Sequence, residues 1–346
     1  MLFKKLFVSL QSKVMNIAMN KKQLFVWLFL LAIGMQNTYA QDPQFSQFYA
    51  CPLYLNPALT GSVKCPRVSL NFRNQWPALG STYITYIASY DQYVKALEGS
   101  VGGYVYEDIQ GDGAISTFNI SGIYNYTFVL DRRSNIHIAL QASYLQKKLN
   151  WDYIFPDMIH PLYGPIYTTA ETGVPTNEKR GHFDVSAGMV YSNQGFFGGF
   201  AVHHITQPTE SFRSNDDAVL PRLFTVHAGF NIPLSGRGIK KGELLLSPNI
   251  LFEQQQNFQQ MNWGLYLSRK GIVIGTWFRQ NLSFHYDSFI LLLGYIQEKY
   301  KLAYSYDLTI SELKNQTLGA HEISFSMVFP CKQKKQKFRT ISCPSF

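Results

Sequence analysis

Apolar and polar residues alternate with period two along most of the chain after residue 66. In 67–75, Val68, Leu70 and Phe72 alternate with Arg67, Ser69, Asn71 and Arg73. In 136–147, Ile136, Ile138, Leu140, Ala142 and Tyr144 oppose His137, Gln141 and Ser143. The same dyad recurs at Phe224, Val226, Ala228 and Phe230, at Met261, Trp263, Leu265 and Leu267, and at Ile323, Phe325, Met327 and Phe329. Successive side chains of a strand point to opposite faces, so these runs predict strands with one apolar and one polar face. Fourteen are expected: 67–75, 81–90, 100–107, 114–129, 136–147, 182–191, 196–205, 222–232, 243–253, 259–268, 271–281, 286–297, 299–307 and 318–329. The runs 243–253 and 286–297 are apolar on both faces, and the pattern does not orient them.

The connections add an independent signal. The longest, 148–181 and 206–221, fall in one alternate class together with 308–317, while 131–135, 192–195 and the Arg269-Lys270 turn fall in the other. A soluble sandwich has no reason to separate long from short connections in this way, whereas an outer-membrane barrel has long outer loops and short inner turns. The exception is the connection around 233–242, which is not short. Composition agrees with the barrel. Only 15% of residues are charged and 15% are aromatic, with 22 Tyr and 26 Phe, against roughly 25% charged in an average soluble domain. No apolar run after residue 40 approaches the roughly 18 residues of a membrane helix. The expected fold is all-β: a transmembrane antiparallel barrel of about 14 strands.

Ahead of the strands, Lys21 and Lys22, the apolar run 24–35 and Thr38-Tyr39-Ala40 read as a signal peptide cleaved after Ala40, with 1–18 as an over-long start. The mature chain then opens with QDPQFSQFYACPLYLNPALTG, residues 41–61. Pro43, Pro52 and Pro57 disfavour an ordinary helix. Phe45, Phe48, Tyr49, Leu53, Tyr54 and Leu55 make the stretch too apolar for a disordered linker, so it is expected to dock, as a plug in the lumen or a contact beneath it. The expected organisation is a leader over 1–40, this aromatic and proline-rich segment over 41–66, a barrel over 67–329 and a basic periplasmic tail over 330–346.

The net charge of +9 changes little once it is located. Five Lys lie in 1–40, and Lys332, Lys334, Lys335, Lys337 and Arg339 lie in the tail; removing these ten from 31 leaves 21 basic against 22 acidic residues. A nucleic-acid footprint would be a patch on the fold, so no nucleic-acid partner is expected. Four cysteines stand in an exported, oxidising setting, and local pairing of Cys51 with Cys65 and of Cys331 with Cys343 is the favoured connectivity of three. Neither metal nor cofactor is expected: the cysteines lack close CxxC spacing, and Glu107, Asp108 and Asp112 in EDIQGDGA miss the EF-hand pattern and read as a solvated turn. His203 and His204 are adjacent on a strand and point to opposite faces, which suits hydrogen bonding rather than chelation. Ser211, His204 and Glu210 could be assembled into a hydrolase site only by order, which carries almost no information. No enzymatic activity is expected. Gly198-Gly199 reads as a bend or a close backbone approach.

Several pieces together resemble the PorP/SprF family of outer-membrane proteins of the type IX secretion and gliding system of Bacteroidota. They are QDPQFSQFY with LNPALTGS, RNQWP at 73–77, SYD at 89–91 and again at 305–307, the HIT-P-TES region around His204, and GAHEISFSMVF at 319–329. Cys51 replaces the Asn of the family's usual NPL, and Leu59-Thr60 also departs from the common pattern. The resemblance implies a barrel that works beside the secretion machinery and binds the C-terminal domain of exported surface proteins such as adhesins. It implies three kinds of partner: the secreted C-terminal domain, other type IX secretion subunits and outer-membrane lipid. The residues it singles out for partner binding or plugging are Gln41, Asp42, Pro43, Gln44, Phe45, Ser46, Gln47, Phe48, Tyr54, Asn56 and Pro57. On the barrel it singles out Arg73, Trp76, Pro77, His204, His321 and Glu322. The expected location is the cell outer membrane with both termini periplasmic. A channel or transporter for small or hydrophobic solutes is the alternative.

Overall fold

The structure is a computed structural model. It describes residues 42–331 apart from 64, 81–82, 132, 151–153, 169–177, 194, 213–217, 235–243, 283–284 and 311–316. The leader, Gln41, the basic tail and Cys343 lie outside the described residues. Pro43 onward belongs to one compact unit.

Fourteen antiparallel strands follow one another as a meander: β1 (Arg67–Gln75), β2 (Tyr83–Val94), β3 (Gly99–Gln110), β4 (Ile115–Val129), β5 (Asn135–Leu149), β6 (Lys179–Ser192), β7 (Phe196–His203), β8 (Leu223–Phe230), β9 (Leu245–Gln255), β10 (Phe258–Arg269), β11 (Ile272–Gln280), β12 (Tyr286–Ile296), β13 (Tyr300–Thr309) and β14 (Ala320–Val328). Each pairs with its sequence neighbours, and β1 pairs with β14 from Arg67 opposite Val328 to Gln75 opposite Ala320, which closes the barrel. Closure leaves no unpaired sheet edge, the condition for crossing lipid with strands. Every expected strand is present. The expected run 222–232 ends earlier, because Asn231 interrupts it before the short pairing of Ile232–Pro233 with Leu245 and Leu246. Among the described residues no helix is long and apolar enough to cross a membrane.

The apolar face of the alternation points outward and the polar face inward. On β1, Arg67, Ser69, Asn71 and Arg73 are buried while Leu70 is exposed. Leu140, Phe183, Leu293 and Ile323 are likewise exposed, and Gln141, Ser305 and Glu322 are buried. This inversion suits a wall bathed in hydrocarbon. The two runs that the pattern did not orient, β9 and β12, resolve for a physical reason. Their inward Leu251, Ile290 and Leu292 join Val273, Tyr266 and Trp277 in an apolar lumen patch that packs with Phe45, Phe48, Tyr49 and Leu53 of the N-terminal segment.

Connections alternate between the two ends. The end where β1 starts and β14 finishes, the terminal end, carries short links such as the Lys270-Gly271 turn. Both of those residues have positive φ, as a tight hairpin turn requires. The opposite, loop end carries 150–178 and 204–222, the two longest connections, and 310–319; the terminal end has one connection longer than the last of these, 231–244.

The favoured cysteine pairing is corrected. Cys65 bonds Cys331, with Cα atoms 5.5 Å apart, and Cys51 is a buried free thiol. The register explains it: Phe329 N donates to Pro66 O as β1 and β14 leave the barrel together, so the residues just beyond meet across the seam. Closeness along the chain was the wrong guide, because Cys51 is carried into the lumen.

Candidate functional site: a lumen filled by the N-terminal segment

The segment folds into tight turns rather than a helix or strand. Phe48–Ala50 forms one 3-10 turn, Pro52–Leu55 a single helical turn, and Pro57–Leu59 another 3-10 turn. Pro52 and Pro57 sit at first helical positions, where a missing N–H costs nothing. Asn56 caps the last turn, its Oδ1 accepting from Ala58 N at 2.9 Å. Turns this short are not stable alone and depend on packing. Here the packing is nearly complete: Ser46, Gln47, Asn56, Ala58, Leu59 and Thr60 are fully buried, and Phe45, Phe48, Leu53 and Leu55 nearly so.

A compact charged cluster holds the start of the segment. Arg73 of β1 reaches Glu322 of β14 and Asp307 of β13, each at 3.1 Å, and Arg279 of β11 approaches Asp307 at 3.5 Å. Two guanidinium groups thus face two carboxylates. Ser46 enters the middle: its N–H donates to Glu322 Oε2 at 2.6 Å, its hydroxyl donates to Asp307 Oδ2, and Arg73 Nη1 donates to Ser46 Oγ. Gln47 N donates to the other Glu322 oxygen at 3.1 Å, and its side chain bonds Ser305, Ser324 and the Glu322 carbonyl. Asn71 Nδ2 adds a donor to Glu322 at 2.7 Å. A buried ion cluster is better tolerated the more of its partners and hydrogen bonds are in place, and Ser46 and Gln47 supply several of them.

Aromatic rings fix the middle. Phe48 meets Trp277 edge-on at 5.0 Å, and Tyr49 packs against Phe197 at 5.6 Å and His227 at 6.1 Å. Tyr54 lies against Tyr104, Tyr106 and Phe45 and donates its hydroxyl to Pro43 O at 2.6 Å. Edge-to-face pairs of this kind add to area burial. Asn56 Nδ2 donates to Phe200 O at 3.2 Å and stands 3.1 Å from His227 Nε2. The wall makes room with glycine: a Cβ at Gly188 would collide with Asn56 Oδ1, and one at Gly199 with the His227 ring of the wall and with Asn56 Nδ2. Gly199 is therefore a close approach to the segment, as its place within a strand suggested.

The exit is pinned at the terminal end. Asn125 Nδ2 donates to Thr60 O at 2.6 Å, and Gly61 N donates to Asp91 Oδ2 at 2.7 Å. Asp91 also takes a two-pronged bond from Arg67 at 2.8 and 3.0 Å. The segment thus runs from the cluster near the loop ends of β1, β13 and β14 down to the start of β1. Its contacts include β1–β4, β6–β8, β11, β13 and β14, and the Pro57–Leu59 turn also packs on β5. It spans the cross-section of the lumen.

The residues singled out from the sequence divide accordingly. Pro43, Phe45, Ser46, Gln47, Phe48, Tyr54, Asn56 and Pro57 belong to this arrangement, as do Arg73 and Glu322; Asp42 and Gln44 are half-buried. Trp76 lies beyond β1, with positive φ and its ring against Tyr83, and Pro77 opens the short turn after it. His321 is on the outer face, its Nδ1 2.8 Å from Tyr304 OH. His204 sits at the loop end beside Asp184, with Nδ1 and Oδ2 2.9 Å apart, while Glu210 pairs instead with Lys147 at 2.9 Å. Glu107 and Asp108 point to opposite faces, and Asp108 accepts from Thr85 inside the lumen. Among the described residues no cluster suits a metal ion.

Sequence reasoning missed Asp91, Asp307, Asn71, Asn125, His227, Trp277 and Arg279. A signal for the two aspartates existed: each ends an SYD triplet and places a carboxylate on the buried face of a strand.

Structural comparison finds outer-membrane barrels at low similarity. Omp33 of Acinetobacter baumannii has 9% identity and a TM-score of 0.42, covering 78% of this chain and 100% of its own. A FadL homologue of Pseudomonas aeruginosa has 10% identity and a TM-score of 0.38, covering 77% and 90%. No curated protein sequence matches the chain. The family model for the type IX secretion system membrane protein PorP/SprF matches residues 37–327, most of the chain, and the protein belongs to that family.

Proposed function

We propose that this outer-membrane component of type IX secretion binds the C-terminal domains of exported surface proteins and helps secrete or anchor them, without catalysing a reaction. The observation that carries this reading is the filled lumen. A segment held by charges, amides and rings on most of the wall leaves the barrel as a rigid, closed scaffold rather than a passage for solutes. Its working surfaces are then the two ends. The terminal end is periplasmic in this reading, because short links gather there, and it meets other secretion subunits; the loop end faces outward. The apolar outer face contacts lipid.

The test compares cells lacking the chain with cells carrying the full chain or one without residues 43–58. Surface display of a type IX adhesin is read by antibody on intact cells. Display is expected only with the full chain, although both barrels remain heat-modifiable in detergent. Equal display with both would refute the reading.

A further inference from the structure

Two lysines face each other on the outside of the barrel near its loop end. Lys148 of β5 stands directly opposite Lys179 of β6 in the pairing register. Both lie on the outward side: Lys148 alternates in step with Leu140 and Ala142, and Lys179 with Phe183 and Val185, all exposed. Side chains paired in this way start about 4.5–5.5 Å apart, and like charges there repel. Lys147, on the lumen side, is matched by Glu210 at 2.9 Å. Among the described residues neither Lys148 nor Lys179 forms an ion pair, and Glu178, which precedes β6, pairs with neither. The outward acid on β3, Glu107, is opposite Phe118, itself opposite Gln146, which puts it two strands from Lys148 and one row deeper.

Other donors gather beside the pair. Ser116 of β4 is opposite Lys148, and Gln146 and Gly181 form the next row toward the middle of the barrel. Below them the rings of Tyr144 and Phe183 meet at 5.2 Å. A Cβ at Gly181 would collide with the Tyr144 hydroxyl, so the missing side chain lets that hydroxyl lean one row toward Lys179. The hydroxyl has no hydrogen-bond partner among the described residues. Two ammonium groups, a phenol, a hydroxyl and an amide thus border one spot on the wall, a donor set suited to phosphate oxygens.

The height of this spot selects the ligand. On β5 the outward residues from Ile136 to Tyr144 are all apolar or aromatic, as are those of β6 from Phe183 to Tyr191. Each run spans about 20 Å of height, close to the roughly 25 Å apolar band of such barrels, and Tyr144 and Phe183 stand where the aromatic girdle belongs. Lys148 and Lys179 each lie four residues beyond those rings. That is the headgroup layer, where long basic side chains attract anionic lipid. A protein neighbour would have to bring an acid to this depth in the plane of the membrane, whereas lipid surrounds the wall already. We propose that Lys148, Lys179 and Tyr144 form a binding site for a phosphate group of the glycolipid headgroup in the outer leaflet. The choice of glycolipid rests on the reading that the loop end faces outward; the phosphate chemistry does not.

The test extracts the full-length barrel in detergent doped with diphosphoryl lipid A, with the same lipid stripped of phosphate, or with phosphatidylglycerol, and counts bound lipid by native mass spectrometry. An adduct is expected with the phosphorylated glycolipid. Its affinity should fall about fivefold with Lys148→Gln or Lys179→Gln, the worth of one basic residue at a lipid surface. Tyr144→Phe, which keeps the ring, should weaken it less. Lys179→Glu turns the repelling pair into opposite charges and should abolish the adduct while the barrel stays heat-modifiable. Lys95→Gln, at the terminal end, should change nothing. Equal binding of the dephosphorylated lipid or of phosphatidylglycerol would overturn the proposal. So would no adduct, a dimer free of lipid, or an equal loss with Lys95→Gln. The adhesin-display test reads a separate property, so failure of either leaves the other standing.

Discussion

Glu322 is the residue on which most of the segment's polar contacts converge. Its carboxylate accepts from Ser46 N, Gln47 N, Asn71 and Arg73 while fully buried. Removing one charge from such a cluster strands its partner, at a cost of about 3 kcal/mol or more. Glu322→Gln keeps the shape and is expected to lower the urea midpoint of the barrel in detergent and expose the segment to protease. Replacing Arg73 and Glu322 together by apolar residues should cost less than the sum of the single changes, as for directly coupled groups. Additive losses would contradict the cluster as described. The sequence pointed to Arg73 and Glu322 only through resemblance. Nothing in their own dyads distinguishes them from other inward polar residues such as Asn119 or Gln141, because the distinction comes from which residues the barrel's closure brings opposite Ser46.

At the scale of the element, strand existence was legible because a lipid-facing wall enforces a strict apolar dyad. Strand orientation was obscured only at β9 and β12, where the lumen is itself apolar to receive Phe48 and Tyr49. The aromatic, proline-rich segment was recognisable as something that docks, yet the partner strands were not, since its contacts join residues about 260 positions apart in the chain, as Ser46 and Asp307 are. The cysteines failed for the same reason: pairing followed the seam between β1 and β14. Peptide mapping without reduction should join Cys65 to Cys331. Cys51 should resist alkylation at pH 8 until the protein unfolds, because burial and the nearby Glu322 push its thiol well above the ordinary value and keep it a neutral, inaccessible group. A Cys51–Cys65 peptide, or rapid labelling of Cys51 in the folded barrel, would disprove this placement.

At the scale of the whole molecule, a fourteen-stranded wall encloses more space than its own inward side chains fill, and the N-terminal segment occupies it. Phe45, Phe48, Leu53, Leu55 and Leu59 each gain about 1.5–3 kcal/mol from burial, which stabilises a closed lumen only if the segment stays inside. The channel or transporter alternative takes the same segment as an internal plug, and requires it to move aside before solutes can pass. The most direct measurement is single-channel conductance in a planar bilayer, comparing the full chain with one lacking residues 43–58. The full chain should stay closed, and the shortened barrel should open steady, ion-conducting steps. Steady conductance from the full chain, equal to that of the shortened one, would contradict a lumen sealed by its own N-terminal segment.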